Sequence, residues 1–463
     1  MPPTVATFLW FVLLLLLFHY DPAKDSETSP ALWLPAIWLC IAGSRLPSQW
    51  FGVQSESLAQ ALEEGSSIDR TIECVVIVVA LSVLWSRSFQ WNVLLARNLP
   101  LVVFLSFALF SVVWSDFIWV SFKRWFRDLG TYVAILVALS DPQPVKAVRT
   151  LLRRIAYLLV PLSILLIKYY PSLGIHYDEW TGMASYVGVT TSKNMLGALC
   201  LVSGLIFFWD TVIGWYDHNT QRARWMFVNT SFIVMTLWLL HKSHSATSGA
   251  CLVLGCLVIA AAHSRIGRRH SIVLKAGIPV CFILYLVLGF GLGLNEQLAA
   301  MLGRDPTLTG RTKIWTTLLA MDINPLVGTG YGSFWLGSRL NSVWELRGRI
   351  TEAHNGYLEM YLNLGIIGLS LFVIFLFASY IHICKEDIAS RKSATSLALA
   401  VWTVMLFYMV TEAGFRGGLL SVVFLQLVIS MPVGVEEEAT TCEDTEQQRG
   451  VGIVSVQIAD DNI

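Results

Sequence analysis

Glu352-Ala353-His354-Asn355-Gly356-Tyr357-Leu358-Glu359 sets a titratable imidazole between two carboxylates, where a polar stretch gives way to an apolar run from Tyr357 to Tyr380. A run of that length can span a bilayer, so His354 falls at the water–lipid boundary. A neutral imidazole accepts a proton near pH 7, which is what activating a sugar hydroxyl requires. The same position suits an interfacial His that merely caps a helix. If the helix starts near His354, then Leu358, Tyr361, Gly365 and Gly368 follow on roughly its face. Those glycines would permit close helix packing, and Tyr357 or Tyr361 could stack on a sugar ring. Glu352 and Glu359 would share a face only on a continuous helix, and nothing in the sequence carries the helix back that far. Paired-acid hydrolysis, which needs two carboxyl groups about 5 to 10 Å apart, is therefore a minor alternative.

Upstream, the only long polar and basic stretch outside the tail runs from about Asn295 to Thr351. Within it, Arg311 to Met321 is amphipathic: Ile314, Leu318 and Met321 share one face, with Arg311 and Trp315 toward the other. Thr309 or Thr312 is available as its cap. Such a helix would lie flat on the membrane with its Trp at headgroup depth and Arg311 near phosphates, although a snorkelling surface Arg gives the same pattern. Gly328-Thr-Gly330-Tyr-Gly332 has no GK[ST] and no preceding strand, so it reads as a permissive turn folding the loop back toward the helix mouths.

Further polar elements stand at the edges of apolar runs. Ser192-Lys193-Asn194 opens one, and Lys193 there either pairs with a phosphate or anchors the helix. His241 and His244 lack a third ligand nearby, so no metal site is expected. Ser245-Ala246-Thr247-Ser248-Gly249 reads first as a helix-packing segment. The eight Cys are scattered, without metal spacing, and read as small core residues.

These groups need a membrane scaffold to position them. The 463 residues are 55% hydrophobic and 14% charged, against about 25% charged in an average soluble domain. Apolar runs fall near 5–18, 31–43, 72–84, 98–115, 130–140, 153–168, 194–213, 226–241, 248–263, 272–292, 357–380, 396–412 and 417–433. The spacing predicts an all-α polytopic protein of 12 or 13 spans, with 130–140 extending upstream. Continuous rather than alternating runs exclude a barrel. The first run follows no basic region and reads as a retained helix rather than a cleaved signal. Net charge is zero but segregated, with an acidic tail from Glu436 to Asp461.

Loops carrying Lys146, Arg149, Arg153 and Arg154, then Arg265, Arg268, Arg269 and Lys275, then Lys385, Arg391 and Lys392 mark the cytoplasmic side. Loops 169–193 and 293–356 then lie outside, and an odd number of spans puts the N-terminus outside too. The count also leaves Lys123, Arg124 and Arg127 outside, against the charge bias. A miscounted span would explain that, and so would a patch kept there to bind an anion, a phosphate being the usual one. The chain divides into an N-terminal bundle (1–292), an outer loop (293–356), C-terminal helices (357–433) and a disordered tail (434–463). No internal repeat is visible, which counts against a transporter or flippase of lipid-linked sugars.

Gly65-Ser-Ser-Ile-Asp69-Arg70, Trp114-Ser-Asp116 with Ser121-Phe-Lys-Arg-Trp-Phe-Arg127, Ser192-Lys-Asn-Met-Leu-Gly197, Thr309-Gly-Arg-Thr-Lys-Ile-Trp315 and His354-Asn-Gly-Tyr-Leu…Gly365 follow in order. Over about 65–430 the chain thereby resembles the O-antigen ligase family, which includes exopolysaccharide polymerases. The resemblance implies a GT-C-like bacterial inner-membrane glycosyltransferase. It would move glycan from an undecaprenyl-diphosphate-linked oligosaccharide to a lipid or glycan acceptor on the periplasmic side, by inversion, without metal or cofactor. His354 would deprotonate or orient the acceptor hydroxyl. Arg311 would hold the diphosphate, helped by Lys123, Arg124 or Arg127 and by Lys193. Other polysaccharide export proteins are the further partners implied, and nucleic acid has no place. Many members carry an Arg within the segment that here reads Ser245-Ala-Thr-Ser248, and its absence favours polymerase over ligase.

Overall fold

A computed structural model describes residues 1–20, 28–53, 62–87, 90–177, 182–214, 222–293, 310–386, 394–415 and 417–429. Each of the thirteen apolar runs falls on a helix, and the fold is all-α. The helices are α1 (Pro3–His19), α2 (Trp33–Gly43), α3 (Ser67–Ser86), α4 (Leu99–Phe110), α5 (Ile118–Leu139), α6 (Pro144–Tyr169), α7 (Lys193–Gly214), α8 (Arg222–Ser243), α9 (Ala246–His263) and α10 (Ser271–Leu286). After two loop helices, α11 (Arg311–Leu319) and α12 (Gly337–Arg347), come α13 (Gly356–Lys385), α14 (Thr395–Thr411) and α15 (Leu419–Val428). Among the described residues six helices are long and apolar enough to cross a membrane, or seven if the bent pair at 62–97 counts as one span. The acidic tail, the segment 294–309 with Thr309, and Asp178, Glu179, Arg391 and Lys392 lie outside the described residues.

α6, α7, α14 and α15 form the buried centre, whereas α10 turns most of its apolar surface outward, as a lipid-facing helix must. Side-chain contacts fix the two ends of the bundle. At one end Arg149 pairs with Asp210, Trp209 and His263 both bond Ser396, and the Lys275 ammonium meets the carbonyl of Cys384. The three basic segments of the sequence thus share an end. At the other end lie the loop 310–355, the Lys193 start of α7 and the first half of α5, where Arg124 reaches the carbonyl of Gly332. Residues 123–127 therefore lie at the same end of the bundle as that loop. Thr7 bonds Tyr170 at this loop end, and Tyr20 stacks under Arg224 at the opposite one, so α1 starts at the loop end.

Lys146, Arg149, Arg153 and Arg154 lie inside α6 rather than in a loop, because α6 begins at Pro144, and Lys275 lies inside α10.

The loop is built as a small body of its own. Leu318, Phe334, Trp335, Leu340, Val343, Ala353 and Leu362 form a separate apolar cluster. α11 packs into it through Leu318 instead of lying free on a membrane surface. Residues 325–330 then dock on a break in α13 at Gly365, whose φ of 63° lies in the left-handed region. Ile366 and Ile367 donate their N–H groups to Pro325 and Leu326, while Thr329 and Gly330 donate to Leu362 and Asn363. The loop therefore satisfies backbone groups that the break frees, as a helix interruption within apolar surroundings requires.

Candidate functional site

Four chain segments meet at the loop end. α11 opens on Arg311, after Gly310 at φ 82° makes the left-handed approach that no bulkier residue takes as easily. From that first turn the Arg311 guanidinium donates to the Thr411 carbonyl and, at 2.7 Å, to Glu412 Oε1. Glu412 is the first residue past α14 and is buried. Its other oxygen accepts from Asn194 Nδ2 at 3.1 Å and faces His354 Nδ1 at 3.5 Å. Glu352 completes the group, with Oε1 3.0 Å from the same Nδ1.

His354 is held there against a backbone cost. Its φ of 48° is left-handed, which few non-glycine residues adopt. Asn355 on one side caps α13 by accepting from the Leu358 N–H at 3.0 Å. Ala353 on the other side donates its N–H to Glu359 at 2.6 Å and accepts from Trp315 Nε1 at 2.8 Å. The cap is thus Asn355, and His354 is free of that duty. Glu359 is buried and also accepts from Trp335 Nε1, so it serves the framework. Because α13 starts at Gly356, Glu352 and Glu359 share no helix face, and the paired-acid geometry is not formed on one.

Burial pushes the imidazole toward its neutral form, but the hydrogen bonds and charges of Glu352 and Glu412 outweigh it and raise its pKa to about 9. At neutral pH His354 therefore rests as an imidazolium beside Glu352, Glu412 and the Arg311 guanidinium. The ligand atoms of Glu352, His354 and Glu412 lie within 4.8 Å of one another, a spacing open to a divalent ion. An ion would need a neutral imidazole, and Arg311 already compensates Glu412. The donor set as it stands fits a salt-bridge network better than a metal centre.

The remaining sequence candidates fall in two places. Lys123, Arg124 and Arg127 line a cavity of about 360 Å³ between α3, α5 and the 331–332 turn. Arg124 there is tied to the carbonyls of Gly332 and Leu62, and Arg127 to Asp128. Tyr357 and Tyr361 line an open apolar groove with Trp315 and Asn355, and the Tyr357 hydroxyl donates to the Leu406 carbonyl at 3.2 Å. Lys193 is exposed, whereas its neighbour Asn194 makes the contact to Glu412. Thr247 bonds Thr411 at 2.9 Å, so the Ser245–Ser248 segment supports the strand of chain that receives Arg311. Glu412 and Asn194 were missed by sequence reasoning. The signal was one carboxylate closing a long apolar run, which reads equally well as a helix edge.

The comparisons bear on this site directly. Residues 229–373 match the family model for O-antigen ligase. Over 332 residues, 67% of this chain and 71% of the relative, the sequence is 26% identical to the exopolysaccharide production protein ExoQ of Rhizobium meliloti (strain 1021). No solved structure matches. The family match spans the stretch that holds both Arg311 and His354, and over two thirds of its length this chain is similar to a protein of exopolysaccharide production.

Proposed function

We propose that this chain polymerises or transfers a surface glycan, drawing it from a polyprenyl-diphosphate carrier, with undecaprenyl the expected prenyl group. The observation that carries the reading is the Arg311–Glu412–His354–Glu352 cluster at the loop end of a multi-pass helical bundle. An acceptor hydroxyl attacks the anomeric carbon. The new C–O bond forms as the bond to the diphosphate breaks, and the electron pair leaves on the diphosphate. A single displacement of this kind inverts the anomeric carbon.

A leaving diphosphate is multiply charged, and a preorganised guanidinium stabilises it as charge develops. Arg311 supplies that group by turning from Glu412 to the diphosphate. Glu412, so released, takes the hydroxyl proton, because His354 is already protonated at rest. His354 orients the hydroxyl and shares the charge of the leaving group. The apolar groove beside Tyr357 and Tyr361 gives the prenyl chain a lipid-facing path. We place the loop end on the periplasmic side of the inner membrane, from the basic segments at the opposite end. Polymerisation is preferred to ligation, in keeping with the similarity to an exopolysaccharide production protein and the missing Arg in Ser245–Ser248.

The test is glycan size in a deletion strain complemented with wild type or His354→Ala at equal protein level. Single carrier-linked repeat units in the mutant support polymerisation. Long carrier-linked chains would mean ligation, and normal glycan would remove His354 from the reaction. Membranes treated with a chelator keep their transfer rate if the cluster works without a metal, and a loss restored by one divalent ion would put an ion at Glu352, His354 and Glu412.

A further inference from the structure

The cavity beside α5 has the wrong charge for a diphosphate. Three of its four cations are answered by protein acceptors, Arg124 by two carbonyls, Arg127 by Asp128 and Arg70 by the Ser66 carbonyl at 3.3 Å, and Lys123 is the one without such a contact among the described residues. Its walls also carry carboxylates. Asp69 is buried and accepts from Ser48 N–H and Oγ. Asp128 accepts from the Tyr331 hydroxyl at 2.7 Å. Glu73 is only 8% exposed, lines the cavity, and makes no hydrogen bond or ion pair among the described residues. A diphosphate offers acceptors only and would meet Asp69 and Asp128 as like charge, whereas a sugar offers hydroxyl donors that carboxyl oxygens accept. Phe415 and Met360 add apolar surface, and the volume fits the small end of ligand sites, about 300–1,000 Å³.

We propose that this cavity is a saccharide subsite, taking the hydroxyl-rich, uncharged part of the acceptor glycan, while the diphosphate goes to Arg311 rather than to the cations of the cavity. The inference rests on the glycan-transfer reading and divides its substrate between two places. Two segments join them. Ala353, next to His354, donates to Glu359, which also lines the cavity. The stretch from Glu412 to Phe415 runs from the cluster to the cavity wall. A glycan seated against Glu73 and Asn363 is thus linked to the imidazole through Glu359 and Ala353.

The experiment uses the full chain in lipid nanodiscs and two probes: the neutral oligosaccharide released by mild acid from the producing cells' carrier lipid, and inorganic pyrophosphate. Binding of each is measured by ligand-observed NMR and calorimetry, with transfer activity on the same samples. Glu73→Gln should weaken oligosaccharide binding at least tenfold and leave pyrophosphate binding within twofold, and Arg311→Gln should do the reverse. Val120→Trp, which narrows the cavity without removing a charge, should repeat the Glu73→Gln result, and retained pyrophosphate binding shows that each variant is folded. Oligosaccharide affinity unchanged in both cavity variants, or pyrophosphate affinity lost in them, overturns the subsite. A wild-type protein that binds the oligosaccharide through Glu73 yet transfers nothing keeps the subsite and overturns the reading beneath it.

Discussion

Two arginine–carboxylate clusters stand at opposite ends of this bundle. At the end away from the loop, Arg149 and Arg153 share Asp210. Arg153 also donates to Asn229 Oδ1 at 2.8 Å and to the Tyr157 hydroxyl at 3.0 Å, under the ring of Trp225. Arg153 and Asp210 are both 0% exposed and form the sealed pair, whereas Arg149 at its rim is 29% exposed. At the loop end, His354 is 25% and Glu352 36% exposed, and Arg311 and His354 both lean on Glu412. Charge pairing is common to both; closure is not. A sealed pair cannot exchange its partner without burying a bare charge, whereas an open one can release Arg311 to an incoming anion. Charged residues inside helices are thus no sign of a transport path when they close on each other.

The sealed cluster carries the largest expected effect. Asp210→Ala strands the fully buried Arg153 without its carboxylate, and stranding a buried charge costs about 3–5 kcal/mol. The variant should fail to accumulate in membranes, or should unfold at markedly lower temperature in detergent. Normal abundance and melting would mean that water reaches Asp210 and that the contrast between the two ends is false.

Arg311→Gln is the matching change at the open end, with the opposite signature. Protein level should stay near wild type, because Glu412 keeps Asn194 and His354. Transfer should fall by about 10²–10³-fold, the usual cost of one lost charge-stabilising donor. Reduced abundance in step with reduced transfer would make Arg311 a fold residue.

Much of this contrast was hidden in the sequence. The thirteen apolar runs and the shared end of the basic segments were legible, since bilayer thickness and charge bias act on local composition. His354 stood out as an imidazole at the edge of an apolar run, and Arg311 as the cation of an amphipathic segment in a polar, basic loop. Their joint partner Glu412 did not, because a contact between residues 311 and 412 depends on how α14 packs. Likewise Arg153 looked like a loop cation until Asp210, Asn229 and Tyr157 surrounded it. The Gly365 break was read as a packing glycine; only the docked 325–330 segment explains why that position takes a left-handed φ.

The open cluster should also titrate. His354 rises from an ordinary value near 6.5 to about 9. A raised folded pKa gives stability that is complete below about pH 6.5 and is lost as pH climbs through 9. The loss is on the order of 2 kcal/mol after allowance for water at Glu352. The wild-type melting temperature should therefore fall between pH 7 and pH 9.5, and in His354→Gln it should fall much less. Equal slopes in the two proteins would place the imidazolium outside the network.

The smallest effect separates two neighbours at the mouth of α7. Asn194 donates to Glu412, so Asn194→Ala leaves that carboxylate with Arg311 and His354 alone. One hydrogen bond to a charged group is worth about 1.5–3 kcal/mol. Part of that will be recovered by water in an open site, so transfer should drop about tenfold, with the pH optimum displaced because Glu412 now depends more on His354. Lys193 is exposed and makes no such contact, so Lys193→Ala should change the rate by less than about threefold, as surface charges do. If Lys193→Ala proves the more damaging, the anion is steered in by the exposed cation, and the site extends outward past Glu412 toward water.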